Sequence, residues 1–487
     1  MDIVAGLPLA YFKLETDSSP MNMTQVVLFQ KGNNKESVAP SLDAVKYAAM
    51  QEVIRNKLLR QRIVESPFHF ANPVWLDDPH LDIHHHVQQK VLSCDLMSTQ
   101  GILEVAADLA ADNLDRSSPL WKVFYITFNH GESFAFVCVT HRSLLCRLER
   151  TLFDSLFPHN IDQLTENKID SLTVECPKTG SVFGYNWLPE SLPSRNELLN
   201  FAKSDWLAIP KQTKAFGSML VGRWAKRKMA SSLVEKQDLP PQWISAPASF
   251  FNMPTGQKRS LAYVSLSPQQ SRQLLRVFKN CKIRDLILTL ITTALQEFMA
   301  QLDHHTKDEL VALIQSNALS SDPCKLESEE ILDDYQLLRL PTNTASPQEQ
   351  LQILLNRRHK ALEFNKLFNN TTHIGRMPSP ILSVLINTYE KLGLHHLHKP
   401  FCNLVISEQP RVSGAHELNG FNKTEDMSFA SLLPHIGLHI SFWAQQDSTC
   451  ITFTTSSPHF EAQDLADAFE RSLKSFEEDL FKKRVQR

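Results

Sequence analysis

A chain of 487 residues with 42% hydrophobic and 21% charged residues has ordinary globular composition and room for two or more domains. Fifty basic residues against fifty-three acidic ones leave a net charge of −3, without the concentrated basic face of a nucleic-acid binder. The eight cysteines form no C-x-x-C pair, which gives a zinc or thioredoxin-type motif no support, and their low density fits a reducing compartment.

The opening MDIVAGLPLAYFKLE lacks a basic region followed by an apolar stretch. No run approaches the ~18 to 20 apolar residues of a membrane span. The expectation is a cytoplasmic protein, free or peripheral to a membrane. Residues 22–30, NMTQVVLFQ, are apolar and β-branched and predict a strand. Residues 41–59 carry helical spacing, with Ser41 suited to the N-cap. Residues 102–114 predict a second amphipathic helix. The apolar runs 123–128 and 134–140 flank NHGES, a hairpin signal in which Gly131 supplies the turn. After His141 the apolar residues Leu144, Leu145, Leu148, Leu152, Phe153 and Leu156 shift the period to about 3.6, so a strand hands over to a helix. Residues 158–250 are polar and proline-bearing and predict a partly helical crossover. Beyond it, strands are expected at 261–266, 403–407, 436–443 and 451–455, and helices at 268–277, 284–299 and 461–480. Strands mixed with long helices in both halves predict an α/β architecture.

Several segments, in order, resemble the bacterial wax ester synthase / diacylglycerol acyltransferase family. They are PLAYFKLETDSSPMNM, NPVWLDDPHLDIHHHV (72–87), LDRSSPLW (114–121), LPSRNELL (192–199), FNMPTGQKR (251–259) and NLVISEQP (403–410). The resemblance implies two chloramphenicol-acetyltransferase-like or condensation-type domains with mixed sheets, at residues 1–157 and 251–487, joined by the 158–250 crossover. It implies acyl-CoA as cosubstrate, with no covalently bound cofactor, and an alcohol or diacylglycerol as acceptor. It also implies a place in neutral-lipid metabolism, at the inner membrane or lipid droplets.

The family's working motif, as the resemblance gives it, is His-His-x-x-x-Asp-Gly. Its second His takes the proton of an alcohol hydroxyl, which then attacks the thioester, because a hydroxyl is a poor nucleophile until a group titrating near neutrality accepts its proton. Here the segment reads FAFVCVTHRSLLCRL (134–148). Trp121 precedes Phe134 by thirteen residues, as in the family, which fixes the register. His141 takes the first His position, Arg142 the base position, Cys146 the Asp position and Arg147 the Gly position. A guanidinium keeps its proton and has no acceptor lone pair, so Arg142 cannot be the base. The family's Asn-Asp pair becomes Arg284 and Asp285, and its Ser-Asn-x-Pro-Gly turn keeps Ser407 but has Glu408 for Asn.

His141 reads as a core-facing structural histidine, with a slipped register that makes it the base as the alternative. Arg142 and Arg147 read as surface or salt-bridged residues, with a phosphate contact as the alternative. Cys146 reads as a buried inert cysteine rather than a nucleophile paired with His141. Pro119, Leu120 and Trp121 read as packing, under an acyl or CoA channel or as a plain core anchor. His84, His85 and His86, taken as neighbours on a strand, would point to alternate faces and share no metal. Residues 218–236 mix Trp224 and apolar residues with Arg223, Lys226, Arg227 and Lys228. That pattern suits an anionic membrane surface or a linker helix with a solvated basic face. Three functional readings remain: a catalytically impaired family member that binds acyl-CoA or neutral lipid or regulates an active relative, an active O-acyltransferase using His141, and a membrane-surface or protein-interaction module. No motif fixes an oligomeric state.

Overall fold

A computed structural model describes residues 2–32, 37–65, 72–92, 99–128, 131–148, 150–159, 161, 240–241, 244–277, 281–303, 308–316, 334–344, 346–368, 392–409, 417–445 and 448–485, with isolated positions between 196 and 229 and between 382 and 389. The chain packs as two compact units. One comprises Met1–Lys214, Ile374–Ile386 and Val412–Met427, and the other Ala215–His373, Asn387–Arg411 and Ser428–Arg487. Most of the expected 158–250 crossover lies outside the described residues.

The first unit runs β1 (Asp2–Ile3), α1 (Gly6–Leu14), β2 (Asn22–Lys31), α2 (Leu42–Arg55), α3 (Lys57–Arg60), β3 (Gln61–Val64), β4 (Val74–Asp77), α4 (Ile83–His86), β5 (Val87–Leu92), α5 (Thr99–Ala111), β6 (Trp121–Phe128), β7 (Ser133–His141), α6 (Arg142–Leu145) and α7 (Leu152–Leu156). Its main sheet has the order β12-β13-β2-β7-β6-β5, where β12 is Glu417–Leu418 and β13 Phe421–Phe429. Strand β7 is central, and its residues from Phe134 to His141 are all buried. It pairs antiparallel with β2, Asn22 facing His141, and with β6 through the turn at Gly131, whose φ of +63° is the conformation that suits glycine. Phe29, Phe134, Phe136, Phe153 and Phe157 pack on one another beside it.

Two predicted helices are interrupted. Residues 41–59 break at Asn56, which leaves helical geometry at φ −106°, ψ 105° and lends its side chain to the Leu58 N–H at 3.0 Å to start α3. The apolar run after His141 divides into α6 and α7. Thr151, extended at ψ 163°, caps α7 by accepting from the Asp154 N–H at 3.2 Å. Periodicity alone carries the helix through both positions, but a capping side chain outweighs it.

The second unit holds β8 (Ser260–Leu266), α8 (Pro268–Val277), α9 (Ile283–Gln301), β9 (Val311–Ser316), β10 (Asp334–Arg339), α10 (Pro347–Phe368), β11 (Leu404–Glu408), β14 (Leu438–Gln445), β15 (Ser448–Thr455) and α11 (Ala462–Val485). Its sheet order is β10-β9-β11-β14-β15-β8, with β11 parallel to both neighbours. Ile406, Ile440, Phe442 and Phe453 join Leu286, Leu290, Leu465 and Phe469 of α9 and α11 in one apolar core. Alternation sends Ser407, His439, Ser441 and Thr452 to the other face, where they too are buried.

Candidate functional site

Strand β7 ends at His141, and the chain turns at once into α6 beneath α1. The Arg142 N–H donates to the Met21 carbonyl at 2.8 Å and the Ser143 hydroxyl to the Pro8 carbonyl at 2.6 Å, which ties the corner down. The His141 ring, 1% exposed, accepts the Ser143 N–H at Nδ1 over 3.1 Å and so caps α6. A neutral imidazole carries one proton, so it sits on Nε2, which lies 3.5 Å from Glu15 Oε1. The other carboxylate oxygen of Glu15 is held by Arg116, whose Nε donates over 2.8 Å and whose guanidinium covers the Phe12 ring at 4.4 Å.

Burial, then the nearby charges of Arg116 and Arg142, pushes the His141 pKa down to about 3. Burial also raises the Glu15 carboxyl, against the pull of Arg116. The imidazole is therefore uncharged at neutral pH, its acceptor nitrogen taken by the backbone and its N–H turned to Glu15. Arg142 is 7% exposed and lays its guanidinium over the Tyr11 ring at 4.2 Å. Arg147 lies over Trp75 at 4.7 Å and donates to Gln61 Oε1 at 3.0 Å and Asp2 Oδ2 at 3.2 Å. These are packed and paired cations. Cys146 is exposed, which corrects the expectation of a buried thiol: α6 ends there, and the turn leaves its side chain at the surface.

Pro119, Leu120 and Trp121 are buried to differing degrees, the last two almost completely. Trp121 donates Nε1–H to the Leu59 carbonyl at 2.7 Å and stacks on His86 at 4.4 Å, as a core anchor does. The three histidines are not on a strand. Asp82 caps a helical turn, accepting from the His84 N–H at 2.9 Å, and that turn buries His86 while exposing His84 and His85. Burial lowers the His86 pKa to about 4. No cluster of His, Cys, Asp or Glu suited to a metal occurs among the described residues.

In the second unit Arg284 pairs with Glu408 at 3.3 Å. Asp285 caps α9 by accepting from the Lys282 N–H at 3.2 Å and binds Arg358. So the two substituted motifs, Arg284–Asp285 and Ser407–Glu408, meet through the ion pair of their altered residues. Arg223, Lys226 and Arg227 lie outside the described residues. Trp224 is 66% exposed, and Lys228 Nζ stands over its ring at 5.3 Å. No described helix is long and apolar enough to cross a membrane.

Sequence reading missed Glu15 and Arg116 as partners of His141, although both lie in segments that carry the family resemblance. It also missed His439, whose Nε2 lies 3.0 Å from Ser407 Oγ.

Two mixed sheets with helices, each in its own unit, are the architecture of chloramphenicol-acetyltransferase-like and condensation domains. The family model of the wax ester synthase/diacylglycerol acyltransferase catalytic domain matches residues 4–145, so the family resemblance read from the motifs holds. A probable diacylglycerol O-acyltransferase of Mycobacterium tuberculosis is 26% identical over 220 residues, 44% of this chain and 72% of its own. The solved wax ester synthase/diacylglycerol acyltransferase of Marinobacter aquaeolei VT8 superposes with a TM-score of 0.57 at 17% identity, over 98% of this chain and 99% of that one. The starter condensation domain of rhizomide synthetase, solved with C8-CoA and Leu-SNAC, gives a TM-score of 0.51 at 11% identity, over 97% and 93%. At these identities the structures speak for the fold alone.

Proposed function

We propose that this chain is an acyl-thioester-binding protein of neutral-lipid metabolism on an acyltransferase scaffold, without the turnover that the family's second histidine drives. One observation carries the reading: at the β7–α6 corner Arg142 stacks on Tyr11, and His141 has its acceptor nitrogen engaged by the Ser143 N–H. Neither group can take a proton from an alcohol at neutral pH, and losing a general base removes ~10²- to 10⁴-fold of rate. The ligand class is that of the similar condensation domain solved with C8-CoA. Regulation of an active relative is compatible with such a role.

The test gives the full chain labelled palmitoyl-CoA with hexadecanol or dipalmitoylglycerol. Binding at micromolar concentration with ester formation at the level of a heat-killed control is expected. Steady turnover that His141→Ala abolishes would overturn the reading in favour of an active O-acyltransferase. Restoring the motif with Arg142→His, Cys146→Asp and Arg147→Gly together should raise ester formation.

The exposure of Trp224, Val221 and Met229, 65% or more each, beside Lys228, supports peripheral contact with an anionic membrane or lipid-droplet surface. Flotation with anionic liposomes should carry the wild-type chain and lose Trp224→Ser.

A further inference from the structure

The inner end of β11 holds a nucleophile and a base that the family's His motif does not include. Ser407 Oγ lies 3.0 Å from His439 Nε2, and His439 Nδ1 lies 2.8 Å from the Ser431 carbonyl. A carbonyl only accepts, so Nδ1 carries the proton, and in the neutral ring Nε2 offers its lone pair to the Ser407 hydroxyl. Nucleophile, base and orienting acceptor thus stand in the order that activates a serine for acyl transfer, with a backbone carbonyl in the place of the usual carboxylate.

The surroundings fit that chemistry. Gln409 Nε2 donates to Ser407 Oγ at 3.2 Å, and Ser441 Oγ, 3.1 Å away, accepts from the same hydroxyl, so His439 Nε2 and Ser441 Oγ are its two acceptors. Ser407 and His439 are 0% and 1% exposed, but Glu408 and Gln409, the next residues along the chain, are partly exposed. His86, His141 and His439 are all deeply buried, yet of the three only His439 turns an acceptor nitrogen onto a hydroxyl among the described residues.

We propose that Ser407 is an acyl acceptor, activated by His439, that takes an acyl group from a thioester. The choice of thioester rests on the ligand class proposed above; the geometry of the pair does not. Ser407 Oγ forms the new C–O bond to the acyl carbonyl carbon while its proton passes to His439 Nε2. The C–S bond then breaks, and the thiolate leaves with that proton as a free thiol. The products are one acyl ester on Ser407, neutral His439 and one thiol per chain, with nothing oxidised or reduced. Water that gives its proton to His439 can then slowly hydrolyse the ester, releasing the fatty acid and restoring the serine.

The experiment incubates the full chain with octanoyl-CoA and, separately, with a fluorophosphonate probe, which needs no CoA site. Thiol release and peptide mass spectra are read. The expected result is a burst of about one thiol per chain, with the octanoyl mass on the peptide holding Ser407 and the phosphonyl mass at the same residue. His439→Gln should slow both labellings by ~10²- to 10⁴-fold, the usual worth of a general base. Ser407→Cys, a near-isosteric variant, should acquire a hydroxylamine-labile octanoyl group in the same place. Absence of any adduct at residue 407 from both reagents, in wild type and in Ser407→Cys, would leave a structural hydrogen bond only and overturn the proposal. Labelling by the fluorophosphonate without binding of octanoyl-CoA would keep the Ser407–His439 pair and overturn the thioester-binding reading instead.

Discussion

His141 at the end of β7 and His439 at the start of β14 are buried to the same 1% exposure, yet their protons sit on opposite nitrogens. At His141 a backbone N–H meets Nδ1, so the ring keeps its hydrogen on Nε2 and can only donate outward. At His439 a backbone carbonyl meets Nδ1, so the hydrogen moves there and Nε2 accepts. Burial removes the charge from His141, and at each ring the partner of the inner nitrogen decides whether the outer one donates or accepts. The family's motif residue is thus spent on a helix cap, while a histidine outside every motif faces a serine.

The largest way to stress this comparison is acid. His141 titrates at about 3 in the folded chain and near 6.5 when unfolded, and His86 at about 4 against the same reference. Between those values the unfolded chain binds the extra protons, so stability rises with pH across the window and is lost as pH falls through it. A pKa that differs by one pH unit between folded and unfolded chain corresponds to about 1.4 kcal/mol of stability. Glu15 works the other way: its raised carboxyl contributes stability below its unfolded value of 4.5 that is lost as pH rises through the folded one. Two histidines outweigh it, so urea midpoints should fall steeply from pH 6.5 to pH 4, and His141→Asn should flatten the curve. A flat wild-type profile would mean that the rings are charged and that the tautomer assignment fails. Imidazole ¹⁵N shifts at neutral pH should report Nε2–H for His141 and Nδ1–H for His439.

A smaller effect probes the outer partner of each ring. Arg116→Met strips Glu15, whose side chain is 4% exposed, of the cation that donates twice to one of its carboxylate oxygens. Breaking a buried pair costs about 3–5 kcal/mol, but Arg116 is 43% exposed, and screening brings the expectation to about 2 kcal/mol by urea denaturation. The carboxyl should then hold its proton to higher pH. His439→Phe leaves the Ser431 carbonyl without its donor and should cost about 1–3 kcal/mol, an effect of similar size at the other ring. An undisturbed Arg116→Met variant would show that Glu15 and His141 are linked by proximity alone.

The same contrast explains what the sequence disclosed. Strand β2, the Gly131 hairpin, α8 and the Ser41 cap are legible because each is written in adjacent residues. Strand β13, FNKTEDMSF, carries no such signal, because its charges read as loop. In the fold Asp426 accepts from Gln25 at 2.9 Å and from Lys423 at 3.1 Å, so those charges are paired where β13 meets β2. The substitution at Arg142 can be seen by counting from Trp121. Its neighbours cannot: Glu15 and Arg116 are 101 residues apart, and Ser407 and His439 are 32 apart with no spacing that local chemistry would demand. Side chains joined only by tertiary packing leave no periodic trace.

The smallest expected effect concerns Arg142 itself. Its guanidinium stands where a base is wanted, and a residue retained there for stability alone should be costly to remove. Yet a cation over a tyrosine ring is worth ~0.5 to 2 kcal/mol, and at 7% exposure much of that gain is offset by the desolvation of a permanent charge. Methionine matches the length of the apolar stem and keeps contact with Tyr11 while shedding the charge. Arg142→Met should therefore change stability by less than about 1 kcal/mol in urea. It should also raise the His141 pKa, because one of the two cations that depress it is gone. A loss well above that figure would assign Arg142 a structural role as firm as that of the histidine beside it, and the contrast between the two buried rings would then extend to the cation that opens α6.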